Sequence, residues 1–135
     1  MQTLIHNDHL IIRLYPGQDL YLTLTDLIKT QEIGAACMVT CVGSLAPASV
    51  RLASAKDIKQ IPGPLEIVSL VGTLGNSGLH LHLSVADRSG LVQGGHLQPG
   101  SLIHTTAEIV LQLFEGIVFN RALDPLTGYK ELQLQ

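Results

Sequence analysis

Two apolar runs, Leu65 to Leu74 and Leu79 to Ala86, are joined by Gly75-Asn76-Ser77-Gly78. A short polar link between strand-like runs returns the chain antiparallel to itself, so this segment commits the fold to a hairpin. Similar punctuation recurs. Pro16-Gly17 stops the run HLIIRL from His9 to Leu14, and Pro47 marks a corner between Ala35–Leu45 and the shorter SVRLAS. AKDIKQIPGP then reads as a polar surface loop. Asp87-Arg88-Ser89-Gly90 precedes a further strand-like run, Leu102 to Leu113. Asp124 to Gly128 separates Val118–Arg121 from a last strand, Tyr129 to Leu134.

Between Asp19 and Gly34 the pattern has two readings. Leu20, Leu22 and Leu24 alternate as in a strand, whereas Leu20, Leu24, Leu27 and Ile28 recur on one helical face. Asp19 as N-cap, Lys29 near the end and Gly34 as a stop favour the helix. The expectation is a single α+β domain over residues 1–135. It has about seven strands in a mostly antiparallel sheet and one main helix after the first strand.

Apolar residues make up 46% of the 135-residue chain but aromatics only 4%, so the core must come from Leu, Ile, Val and Ala. Eight Lys and Arg against eleven Asp and Glu give a net charge of −3, and the basic residues are scattered. That is no footprint for duplex phosphates, and direct nucleic-acid binding is not expected. The start, MQTLIHNDHLIIRL, lacks the pattern of a secretory leader, and no apolar run reaches the ~18 residues of a membrane span. Cys37 and Cys41 would lie about 13 Å apart along a strand, beyond the ~7 Å reach of a disulfide, so reduced thiols and a cytoplasmic location are expected.

Three of six histidines fall within GLHLHLSVADRSGLVQGGHL, residues 78–97. On a strand, His80 and His82 share a face about 6.6 Å apart, while Leu79, Leu81 and Leu83 take the other. If Arg88, Ser89 and Gly90 form a three-residue loop, opposed positions sum to 178, and His96 stands opposite His82. A two-residue loop would turn His96 to the wrong face unless a bulge at Gly94-Gly95 restored it. Three neutral imidazoles suit zinc and leave one tetrahedral position open for water or a small-molecule ligand. Equally, H-x-H can be the polar face of an amphipathic strand.

HLHLSVADRSGLVQGGHLQPG, with RLYPGQDL, CVGSL, LEIVSLVGTL, TTAEIVL and LDPLTGYKEL, resembles the plants and prokaryotes conserved (PPC) domain from about Ile11 to Leu134. The resemblance implies a homotrimer with the G-G-H-L region near the subunit contacts. It further implies, by likeness to stand-alone prokaryotic members, zinc on His80, His82 and His96. The architecture also looks related to acetolactate decarboxylase, a zinc enzyme, which keeps open a zinc-dependent lyase or hydrolase acting on a small carboxylated metabolite.

The family is often labelled DNA-binding because plant relatives carry an adjacent AT-hook. No Arg-Gly-Arg-Pro core occurs here, and the plant partner patch G-R-F-E-I-L corresponds to Gly63-Pro64-Leu65-Glu66-Ile67-Val68.

Weaker candidates surround this core reading. Arg13, on an Ile- and Leu-rich strand, could orient an anion beside the zinc, or serve as an ordinary surface or ion-paired residue. Glu66 and Glu108 could act as general acid or base if buried, or pair with Arg at an interface. Ser84 continues the histidine face. Gly94 and Gly95 imply a positive φ or a close backbone approach. His6, His9 and His104 read as structural or exposed.

Overall fold

The structure is a computed structural model that describes residues 1–53 and 56–133. In chain order the elements are β1 (Gln2–His6), β2 (His9–Leu14), α1 (Leu20–Thr30), β3 (Ala35–Leu45), β4 (Ala48–Arg51) and β5 (Ile58–Ile61). They continue as β6 (Leu65–Gly75), β7 (Gly78–Ala86), β8 (Val92–Leu97), β9 (Ile103–Leu113), β10 (Asn120–Leu123) and β11 (Lys130–Gln133). Nine strands form one sheet in the order β1-β2-β9-β3-β6-β7-β8-β4-β5, and every pairing is antiparallel. β10 and β11 pair separately.

The α+β class and the dominant antiparallel sheet are as expected, but the strand count among the described residues is nine plus two rather than about seven. The additional strands carry weak burial signals. β1 is exposed at all five positions, so no face alternates. β5 lies inside the stretch read as a loop and buries only Ile61. β8 contains two glycines and is held in the sheet by backbone pairing on both sides. The helix consequently follows the second strand. Strand ends also shift: β4 stops at Arg51, β10 runs from Asn120 to Leu123, and β11 starts at Lys130. Ser54 and Leu134, assigned to strands from sequence, lie outside the described residues.

Leu20, Leu24, Leu27 and Ile28 are the buried face of α1. They pack with Leu10, Ile12, Leu14, Leu45, Leu70, Leu81, Leu83, Ile109 and Leu111 in one core. Each fully buried aliphatic side chain of this kind contributes about 1.5–3 kcal/mol relative to exposure, so the helix is fixed mainly by packing.

Both helix ends are capped. Asp19 Oδ1 accepts the Leu22 N–H at 3.0 Å, while its Oδ2 accepts the Gly100 N–H at 2.6 Å, tying the helix start to the loop before β9. The other end closes before Gly34. Ile33 N–H donates to the Ile28 carbonyl and Glu32 N–H to the Lys29 carbonyl, the paired bonds of a Schellman motif. The left-handed position of that motif is Glu32, at φ 51°.

Among the described residues no helix lies over the opposite face of the sheet, which the β10–β11 hairpin meets through the bond from Arg121 to Thr73. Ile11, Val42, Val71 and Val92 are exposed there, on the face that also carries the histidines by strand register.

Candidate metal centre

β7 alternates as required: Leu79, Leu81, Leu83 and Val85 are buried, while His80, His82 and Ser84 face the uncovered side. The turn that follows has the three-residue form. Asp87 N–H donates to the Leu91 carbonyl at 3.1 Å, and Gly90 takes the left-handed position at φ 83°. Asp87 Oδ1 accepts from the Ser89 N–H, the Ser89 hydroxyl and the Leu91 N–H at 2.8, 2.6 and 3.1 Å, which locks the loop. Those bonds, that from the Ser89 hydroxyl foremost, hold the Asp87 carboxyl below its ordinary 3.8.

With the loop length fixed, His82 stands directly opposite His96 and Ser84 opposite Gly94. No bulge at Gly94-Gly95 is needed. Neither glycine has a positive φ; both serve close approach. A Cβ on Gly95 would meet the Arg51 carbonyl at 2.6 Å, and one on Gly94 would run into the Leu83 carbonyl. The pair lets β8 lie tightly between β4 and β7.

The three imidazoles form a triangle with ring centroids 5.1, 5.2 and 5.6 Å apart. Their ligating nitrogens all lie within 4.8 Å of one another. Tetrahedral zinc ligands at 2.0–2.1 Å stand about 3.4 Å apart, so the three nitrogens lie near the spacing an ion requires. Burial, followed by the charge of Arg121, lowers the His80 pKa from its ordinary 6.5. Burial, then Arg51, brings His96 down to about 4. Both effects favour the neutral imidazole, the form that ligates a metal. This donor set can hold a divalent ion.

Two residues that local sequence patterns do not mark also reach the cluster. Arg51 is the register partner of His96 through the β4–β8 pairing. Arg121 reaches Thr73, which lies opposite His80, from the C-terminal hairpin. Both placements depend on contacts across more than forty residues of sequence, which short-range periodicity does not carry.

The remaining candidates lie elsewhere in the chain. Arg13 is on β2, four strand spacings or about 19 Å from β7. Its side chain is exposed: Nε donates to Thr106 Oγ1 at 3.4 Å, and the guanidinium sits over the Tyr15 ring. Glu108 is the register partner of Arg13 and Glu66 that of Ala86. Both carboxylates are exposed, so the burial that would tune an acid or base is absent within the chain. His6 and His104 are exposed, and His9 pairs with Asp8 at 2.7 Å. A surface cavity of about 610 Å³ lies apart from the histidines, between the β1–β2 turn and the segments after α1 and β9.

Comparison with known proteins places these features in a family. The Plants and Prokaryotes Conserved (PCC) domain matches residues 4–115. A bifunctional protein GlmU from a Synechococcus strain is 48% identical over 124 residues, 92% of this chain but 20% of that protein; the chain thus spans about a fifth of this relative's length. A hypothetical protein from Salmonella cholerae-suis has a crystal structure that superposes with a TM-score of 0.91 at 35% identity, covering 94% of this chain and 92% of that one.

Two more distant structures share the fold. One, from Bacteroides thetaiotaomicron and described as a candidate DNA-binding protein, has a TM-score of 0.87 at 20% identity, with 98% and 96% of the two chains covered. The other, a metal-containing protein from Archaeoglobus fulgidus, has a TM-score of 0.82 at 24% identity over the same shares. On the match to most of its length, the chain belongs to the Plants and Prokaryotes Conserved domain family.

Proposed function

We propose that this protein is a homotrimeric ligand-binding or regulatory module whose His80, His82 and His96 hold one zinc ion with an open coordination position. The observation that carries this reading is the convergence of three imidazoles, their ligating atoms within 4.8 Å, on the uncovered face of the sheet. Three neutral nitrogen donors and a free fourth position are the arrangement of a zinc site that accepts an exogenous ligand. The description of the Archaeoglobus protein as metal-containing points the same way. Zinc bound there would supply Lewis-acid character; Ser84, opposite Gly94 on the same face, is placed to bond a ligand or an adjacent water.

The trimer is supported by the exposed Ile11, Val42, Val71 and Val92, a set of apolar side chains that burial against other copies would remove from water. The two free thiols support a cytoplasmic location. Among the described residues no helix is long and apolar enough to cross a membrane. In the Synechococcus protein a related segment makes up about a fifth of a much longer bifunctional chain, which fits an accessory role. Direct DNA binding is not part of this reading: the net charge is −3.

Metal analysis of untagged protein tests the centre. We expect about one zinc per chain and its loss in His80→Ala and His96→Ala; stoichiometry unchanged by both substitutions would refute the assignment. The second reading, a zinc-dependent lyase or hydrolase of small carboxylated metabolites, draws on the same open position. It requires a turnover that chelation abolishes and zinc restores.

A further inference from the structure

The cleft beside the histidines holds more positive charge than a metal site needs. Its cavity, about 380 Å³, is walled by Arg51, His80 and His96 from the sheet and by Arg121, Lys130 and Glu131 from the C-terminal hairpin. The Arg121 guanidinium is held in place by two bonds, Nη2 to Thr73 Oγ1 at 3.2 Å and Nη1 to the Lys130 carbonyl at 3.3 Å. Among the described residues no carboxylate lies within 4.0 Å of either guanidinium. Glu131, the acidic group of the wall, accepts the Thr127 hydroxyl at 3.0 Å.

Three cationic side chains thus face one carboxylate. A divalent ion on three neutral imidazoles would add two more positive charges. Like charges gathered in a half-buried cleft repel, and an anion removes that cost. Guanidinium groups match the planar or tetrahedral oxygen sets of carboxylates and phosphates. The volume is that of a small-molecule pocket.

We propose that this cleft binds the carboxylate or phosphate group of a small metabolite, with Arg51 and Arg121 as its charge partners beside the metal. The metal's share in holding the anion rests on the zinc reading above; the arginines' share does not. Arg121, Lys130 and Glu131 all come from the C-terminal hairpin.

Calorimetric titration of the full chain, both metal-free and zinc-loaded, with inorganic phosphate and separately with malonate tests this. The variants are Arg51→Gln and Arg121→Gln, with Arg51→Lys and Arg121→Lys to preserve charge should a glutamine variant fail to fold. The expected result is saturable binding of at least one anion, one per chain, weakened at least tenfold by either glutamine substitution and less by lysine. Zinc stoichiometry stays unchanged. The anion that binds more tightly identifies the ligand class.

Affinities within twofold of the unaltered protein in all variants, or no saturable binding of either anion to any form, overturn the proposal. If the chain takes up no zinc, the metal reading fails on its own. Arginine-dependent binding to the metal-free chain then still supports the cleft, and its absence there refutes it.

Discussion

At the scale of single residues, Asp87 shows how one side chain sets the geometry of a site it never touches. Its carboxylate closes the three-residue loop that puts His96 opposite His82. Because the folded pKa is lowered from 3.8, the charged form is favoured in the native state. Its stabilising contribution is present above the unfolded value and lost as pH falls through the folded one. Asp87→Asn should therefore be less stable than the unaltered protein near pH 6, and the difference should shrink as pH falls below about 4. Urea denaturation at both pH values checks this, and a difference that grows on acidification contradicts it.

Arg51 and Arg121 make the complementary point. Each is an unremarkable cation in the sequence, and each acquires meaning from the strand or hairpin that carries it to the histidines.

Among the elements, α1 was legible because its apolar period and Asp19 cap agree, but its end was not. Gly34 has the side-chain-free backbone expected of a stop, yet the chain turns two residues earlier at Glu32. Hydrogen bonds from Glu32 and Ile33 close the helix there, and Gly34 instead permits the approach of the Ile117 carbonyl, 2.7 Å from where its Cβ would lie. A non-glycine residue in the left-handed region costs about 1–2 kcal/mol. Part of that is offset by the larger unfolded-state entropy of glycine. Glu32→Gly should stabilise the protein by about 0.5–1 kcal/mol, read from the urea midpoint at unchanged slope. A lower midpoint would show that the Glu32 side chain contributes more than its backbone strain costs.

The strands that escaped sequence reading did so for one physical reason. β1, β5 and β8 each bury at most one side chain, so backbone pairing holds them where hydrophobic alternation is too weak to read.

For the whole molecule, the proposed trimer would draw on the same face as the proposed metal site. The valines that would be buried between copies share that face with the three histidines, and Val71 lies directly opposite His82. Val42 is 56% exposed, on the sheet face away from α1, so Val42→Asp should leave the fold intact by circular dichroism. In sedimentation it should convert trimer to smaller species at micromolar concentration. Unaltered protein that sediments only as monomer would refute the trimer, and a variant that remains trimeric would move the interface off this face.

The sequence by itself determined the class of fold, the core face of the helix and the pairing of His80 with His82, because each follows from a periodicity or turn a few residues long. It narrowed His96 to two registers, and the Asp87 loop then selected one. Only the tertiary structure decided which cations surround the three histidines. Arg51 arrives through the β4–β8 pairing and Arg121 through the terminal hairpin. Arg13, Glu66 and Glu108, the charges most conspicuous against their apolar neighbours in sequence, came to lie away from the histidines within the chain. A local pattern specifies which face a side chain takes; which strand becomes its neighbour depends on the packing of the whole sheet.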